Sequence, residues 1–403
     1  MAGTAERMRD YRGPAIFSHG FRSFFLLSAI WAAGAMILWI LMLTGTEPLA
    51  SAFDPFSWHA HEFLFGYLAA VIGGFVLTAV PNWTGRLPVM GWPLVGLVGL
   101  WLAGRLAVAC SSHLPWQMTA LIDLSLYVAL VGFLSREIIR GKNWRNLPVV
   151  GLIALYGVAN LIFHIEAARD GTAFEGLGMR LGLGTTLMLI ALIGGRIIPS
   201  FTRNWLASRG SAQLPQPFGR ADAIVLGLTA LVLLGFVGFP DAAVTRWLML
   251  VAGAAHLWRM SRWCSGQIRS EPLLWVLHLA YALLALGFVA EGAAGFDLLP
   301  LPAARHVWLA GAIGLMTLGV MTRATLGHTG RVLHAGPATV AIYLALFGSV
   351  VMRLLAGIFG NPTGLLHLSG GLWIMAFAGY ALVYGPMLLQ PRLAKKPVSG
   401  AKT

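Results

Sequence analysis

The feature that most constrains this chain is a run of about 20 apolar residues that recurs along its whole length, enough to cross roughly 30 Å of hydrocarbon at about 1.5 Å per residue. The hydropathy rule finds about twelve of them, at positions 21–44, 58–80, 91–110, 116–134, 148–168, 179–199, 221–239, 243–260, 272–292, 304–322, 337–358 and 364–389. A bilayer offers no water to unpaired N–H and C=O groups, so each run must be helical. The sequence therefore predicts an all-α, polytopic membrane helical bundle of about twelve transmembrane helices. Composition agrees, with 58% hydrophobic and 11% charged residues against about 25% charged in an ordinary soluble domain. The longest interruption, near 200–220, is too short for a soluble domain, so residues 1–403 read as a single integral membrane domain with short tails at about 1–20 and 390–403.

A net charge of +13 would suit nucleic acid if the cations formed a patch, but they gather in alternate loops. Along the chain these are Arg7, Arg9 and Arg12; Arg86; Arg136, Arg140, Lys142 and Arg145; Arg203, Arg209 and Arg220; Arg259, Arg262 and Arg269; Arg323 and Arg331; and Arg392, Lys395, Lys396 and Lys402. Stretches 45–57, 111–115 and 361–363 carry no Lys or Arg. Under the positive-inside rule the basic loops and both termini are expected in the cytoplasm, with membrane lipid rather than nucleic acid around the protein. No cleavage site follows a short apolar core, so the first run is expected to be retained. Cys110 and Cys264 are expected near opposite faces and cannot bridge. With no C-x-x-C-H motif, any haem would be held non-covalently, and with no GxGxxG unit no nucleotide cofactor is implied.

Internal similarity is visible at a period of several helices. His61, Gly66 and Gly74 in the second run repeat the spacing of His306, Gly311 and Gly319 in the tenth, both reading H-x4-G-x7-G. Gly194-Gly195-Arg196 before Asn204-Trp205 loosely matches Gly73-Gly74 before Asn82-Trp83, four runs earlier. Three pseudo-repeats of four helices are the expectation. The bland reading is that small residues simply let membrane helices approach closely.

Ionisable side chains inside a membrane are costly and normally face a protein cavity, so the histidines matter most. Topology sorts them into two groups. His59, His61, His164 and His306 fall toward the outer side, with His113 and His367 in or near short loops. His256, His278, His328, His334 and His19 fall toward the inner side. Imidazole suits iron, copper and zinc, and a pair can hold haem iron from both faces. The outer set, His59, His61, His164 and His306, is the stronger candidate for metal. His59 and His61 point about 200° apart on a regular helix. From one regular helical turn they cannot share a metal, which leaves two arrangements open: one ring for iron with the other for copper or a haem propionate, or a helix that begins at Ala60 with the loop turning His59 inward. Glu62 is placed to orient an imidazole or carry a proton, and Asn160 shares a helix face with His164. In the inner set, His256 and His278 fall at similar depth, with Tyr281 on the His278 side of its helix as a hydrogen-bond donor. His328 is placed in a loop. Arg86, Arg196 and Arg323 end their helices near the inner face, as topology anchors or as partners for a carboxylate or quinone head group. The plain alternative for any one histidine is a wet polar anchor at the interface.

These motifs form a recognisable set. Phe17-Ser18-His19-Gly20-Phe21-Arg22, Trp58-His59-Ala60-His61-Glu62 followed by Leu64-Phe65-Gly66, the string from Gly74 to Arg86, and the string from Met321 to Arg331 closely resemble the NnrS family. The resemblance runs on through Gly194-Gly195-Arg196 and Leu273-Leu274-Trp275-Val276-Leu277-His278. It implies a bacterial inner-membrane protein with haem b and copper that protects against nitric oxide and nitrosative stress, often beside denitrification. On that reading outer histidines hold haem and copper near each other, nitric oxide binds there to be reduced or scavenged, and a quinol or other donor supplies electrons. Whether the protein is an oxidoreductase that turns over stays open. The competing class is a membrane transporter, a metal or proton carrier without redox turnover. Carriers also have internal repeats and polar groups near midplane, but few acidic residues lie within the runs here, chiefly Asp123 and Glu291.

Overall fold

A computed structural model describes residues 11–359 and 362–393. Arg7, Arg9, Lys395, Lys396 and Lys402, loop residue Asn361 and the outer parts of both tails lie outside these residues. Every regular element among the described residues is helical. Twelve helices are long: α1 (Gly20–Leu43), α2 (Pro55–Thr84), α3 (Trp92–Ala109), α4 (Trp116–Arg140), α5 (Leu147–Asp170), α6 (Leu177–Ala207), α7 (Arg220–Gly238), α8 (Ala243–Ser261), α9 (Pro272–Ala294), α10 (Leu301–His328), α11 (Pro337–Ile358) and α12 (Pro362–Leu389). Eleven of them are long and apolar enough to cross a membrane, and the chain is a multi-pass membrane protein. The exception, α8, carries Arg246, His256 and Arg259 within 19 residues, yet it packs between α7 and α9.

Each helix packs against its neighbour in sequence, and α12 returns against α1. Arg22, buried in the first turn of α1, closes that seam. Its Nη1 donates to the carbonyls of Met387, Leu388 and Gln390 at 3.3, 2.8 and 2.6 Å, which supplies donors to carbonyls that a helix end leaves unpaired. The start of α1 and the end of α12 therefore share one end of the bundle, called here the terminal end.

Helices α2, α6 and α10, the second of each successive group of four, run to 30, 31 and 28 residues, longer than the runs read from sequence. Asp54 shows why at α2. Its carboxylate accepts from the backbone N–H of Phe56 and Ser57 at 3.0 and 3.1 Å, with Pro55 at the first position, a strong helix start. The helix thus begins before the apolar run, and the expectation of a start at Ala60 is corrected. At its far end α10 extends to His328, which is a helix residue rather than a loop residue. Likewise α6 runs to Ala207 and shortens the loop expected at 200–220.

Each of these three helices is interrupted by a π-helical stretch, Glu62–Tyr67 in α2, Ile190–Gly194 in α6 and Val307–Gly314 in α10. Such stretches are rare and loosen the regular carbonyl ladder. At α2 three consecutive carbonyls take side-chain donors from three other helices. Leu64 accepts from Tyr156 of α5, Phe65 from Tyr127 of α4 at 2.8 Å, and Gly66 from Trp101 of α3 at 2.9 Å. The repeated glycines serve packing. A Cβ on Gly74 would meet Phe24 and Phe25 of α1 at 2.9 Å, and one on Gly319 would meet Leu277 of α9 at 2.8 Å, so each lets the preceding helix approach closely.

Candidate metal centre

Where α2 passes into its π-helical stretch, at the end of the bundle opposite the termini, His61 and Glu62 stand side by side with no solvent exposure. Nδ1 of His61 donates to Oε1 of Glu62 at 3.0 Å. Its Nε2 faces Oδ1 of Asn160 at 2.9 Å and Oδ2 of Asp123 at 3.1 Å. The same Asp123 oxygen accepts from Asn160 Nδ2 at 2.6 Å and from His164 Nε2 at 3.2 Å. Arg105 of α3 bridges the two acids, Nη1 on Glu62 and Nη2 on Asp123. Four helices thus converge: α2 brings His61 and Glu62, α3 Arg105, α4 Asp123, and α5 Asn160 and His164.

Two properties of this cluster bear on chemistry. Ligand atoms of His61, Asp123 and His164 lie within 4.8 Å of one another, and all three residues are buried. Two imidazoles and a carboxylate form a set that suits a first-row transition ion, and Glu62 on the far nitrogen of His61 is the usual orienting partner of a metal-bound imidazole. The second property is charge. Glu62 and Asp123 both pair with the single Arg105, so this dry site holds more acid than base and favours a further cation at the imidazoles. Phe53, Phe65 and Phe163 surround His61 at ring separations of 5.2, 5.6 and 5.5 Å and keep water out.

His59 lies apart from this cluster. Its ring stacks on Trp39 at 4.4 Å and packs on Phe63 at 4.7 Å, while its buried Nδ1 has no partner. His306, the residue before the π-helical stretch of α10, donates Nδ1–H to Pro302 O at 2.6 Å, which leaves Nε2 free. His306 and His59 are within charge range of each other and of Arg353 on α11. His61 and His164 thus share one cluster, and His59 and His306 stand outside it.

At the terminal end the candidates separate further. His256 and His278 have no contact. The Tyr281 hydroxyl donates to His256 Nδ1 at 2.9 Å and accepts from Arg259 Nη1 at 2.8 Å. His256 Nε2 in turn donates to Thr229 at 2.9 Å, so both ring nitrogens are used. The same Arg259 pairs with Asp222 at 2.8 Å and donates to Ala191 O at 2.9 Å, inside the π-helical stretch of α6. His278 donates to Leu274 O at 3.0 Å, and His328 packs on Phe21 at 5.3 Å. Arg86 bonds Glu137, Arg196 faces Phe218 and Arg323 faces Phe201. None of these contacts involves the His61 cluster. His113, His334 and His367 are exposed.

Arg105 and Asp123 escaped the sequence reading of the site, although a signal existed. Each is the lone charge inside its apolar run, and the two runs form a hairpin that brings them to the same depth.

The fold and this cluster define a polytopic helical membrane protein with a buried imidazole–carboxylate centre near one end. The chain matches the profile of the NnrS protein family over residues 15–392 and belongs to that family. No curated protein matches it.

Proposed function

We propose that this protein binds haem b and copper in the bacterial inner membrane and protects the cell against nitric oxide and nitrosative stress, by binding the gas and reducing or scavenging it. The observation that carries the reading is the convergence of His61, Asp123 and His164 in a dry core, within a family whose resemblance already implied metals and nitric oxide. The donor set fits copper: two imidazole nitrogens and a carboxylate oxygen suit the divalent ion. Haem is assigned to the remaining outer histidines, where His306 has its Nδ1 anchored on Pro302 O and its Nε2 free and His59 has an unpartnered buried nitrogen.

When bound, such metals supply a place for a diatomic gas and for single electrons. The chain's own residues do the rest. Glu62 holds the His61 ring in one orientation, and Arg105 fixes both carboxylates. Asn160 orients Asp123 by donating to it and faces His61 with its carbonyl, while the phenylalanine shell excludes water. Basic residues at the terminal end support a cytoplasmic position for that end under the positive-inside rule, with the centre toward the outer face. A quinol or another membrane donor supplies electrons.

The test is the protein purified in detergent, with haem and copper assayed on one sample and the reduced-minus-oxidised spectrum recorded with and without nitric oxide. A haem b spectrum that shifts with the gas, together with stoichiometric copper, supports the reading. A colourless, copper-free protein that stays so after reconstitution sinks it.

A further inference from the structure

We propose that the seam where α1, α10 and α12 meet at the terminal end is a binding site for the phosphate group of an anionic membrane lipid. Five basic side chains gather there, each within three residues of a helix end: His19 just before α1, Arg22 in its first turn, His328 closing α10, and Arg331 and Arg392 just beyond α10 and α12. Gln390 joins two of the guanidinium groups. Its backbone carbonyl accepts from Arg22 Nη1 at 2.6 Å and its side-chain oxygen accepts from Arg331 Nη2 at 3.3 Å. The Leu393 N–H donates to Thr329 O at 3.0 Å, which holds Arg392 beside the turn after α10. In that turn Gly330 is left-handed, with φ at +77°, and a Cβ on it would stand 3.6 Å from Arg392 Nε. Phe21 forms an apolar floor, with the rings of His328 and His19 at 5.3 and 6.0 Å from its own.

Charge makes this cluster a site. Residues 11–46 and 298–403 contain no Asp or Glu, so the three helices bring no carboxylate to their own seam. An arginine that only marks topology runs its head into water. Arg22 instead is 2% exposed, and its Nε, like Nη1 of Arg331, is buried without a partner among the described residues. Buried charge without a counter-charge is costly. A phosphate offers several oxygens to guanidinium N–H groups at once, and the two imidazoles add donors beside them. Helix ends at the rim of a membrane bundle lie at headgroup level, and basic pockets between such helices take anionic headgroups. Phosphate on a lipid therefore matches both the charge and the place.

The test uses the full chain in detergent, stripped of lipid, with the thermal midpoint followed as phosphatidylglycerol, phosphatidylcholine or inorganic phosphate is added at one ionic strength. Phosphatidylglycerol is expected to raise the midpoint saturably and to stay on the protein in native mass spectrometry, while the other two do neither. Arg22 also ties α1 to α12, so the variants avoid it. Arg331→Gln together with Arg392→Gln is expected to weaken phosphatidylglycerol binding roughly tenfold or more. Arg392→Gln alone, on an exposed side chain, is expected to weaken it in the same direction without changing the lipid-free midpoint. Arg136→Gln, which removes an exposed arginine beside Glu137 on α4, is expected to bind as the parent does. Equal effects of phosphatidylglycerol and phosphatidylcholine overturn the proposal, as does unchanged binding in the double variant. Equal protection by inorganic phosphate, with no lipid retained, overturns the lipid as the source of the phosphate. Nothing in the test depends on bound haem or copper.

Discussion

Nε2 of His61 lies 3.1 Å from Oδ2 of Asp123, in a core where neither side chain reaches solvent to any extent that matters. Asp123 is the shared member of the cluster, since His61, Asn160, His164 and Arg105 all converge on its two oxygens. Asp123→Asn keeps the shape and removes the charge. It is expected to abolish retention of the divalent ion while the protein still elutes as a folded species, and His164→Ala is expected to do the same. Metal content per polypeptide is the measurement, and unchanged copper in both well-folded variants would refute the ligand assignment.

Arg105 is the only arginine or lysine that pairs with either Glu62 or Asp123 among the described residues. Arg105→Leu leaves two carboxylates facing each other in a dry core, and breaking a buried pair from one side costs about 3–5 kcal/mol. A large fall in the thermal midpoint in detergent is expected. Neutralising both acids as well, with Glu62→Gln and Asp123→Asn, is expected to recover part of it. Equal midpoints for the parent and Arg105→Leu would show that the pairings contribute nothing.

The π-helical stretch of α2 depends on donors from other helices. Tyr127→Phe and Tyr156→Phe each strip the partner from a buried carbonyl, Phe65 O and Leu64 O respectively. Leaving one such group unsatisfied costs about 1–3 kcal/mol. Each variant is expected to melt earlier than the parent protein. Hydrogen exchange should rise locally around residues 62–67, and a uniform rise over α2 would place the loss elsewhere.

How much of this was legible in the sequence follows from the range of the interactions involved. The spans were legible because apolar length is a local property that the bilayer enforces. Asn160 and His164 were placed on one face by spacing alone, and in the structure both bond Asp123. The π-helical stretches were not legible, because one extra residue in a turn hardly alters an apolar run such as Val307-Trp308-Leu309-Ala310. The partners of Tyr281 were not legible for a related reason. Helical spacing relates Tyr281 to His278 on its own helix, whereas its hydroxyl is claimed by His256 and Arg259 across the α8–α9 contact, and only the packing of two helices decides that.

The last expectation concerns pH at the terminal end. His19 precedes α1 and is pushed from the ordinary imidazole value of 6.5 down to about 4, by burial first and then by the nearby Arg22, His328 and Arg392. The folded state therefore holds this ring neutral at pH values where the unfolded chain protonates it. The stabilisation it permits is present in full above pH 6.5, is lost as pH falls from 6.5 toward 4, and changes no further below that. Arg22, which His19 adjoins, is the residue that ties α1 to the last carbonyls of α12, so the loss should be felt at that seam. His19→Gln cannot take up the proton, and its thermal midpoint is expected to fall less than the parent's between pH 7 and pH 4.5. Hydrogen exchange at residues 20–26 and 384–390 is expected to rise on acidification in the parent protein only. Parallel pH profiles for the two proteins would assign the acid sensitivity to other groups.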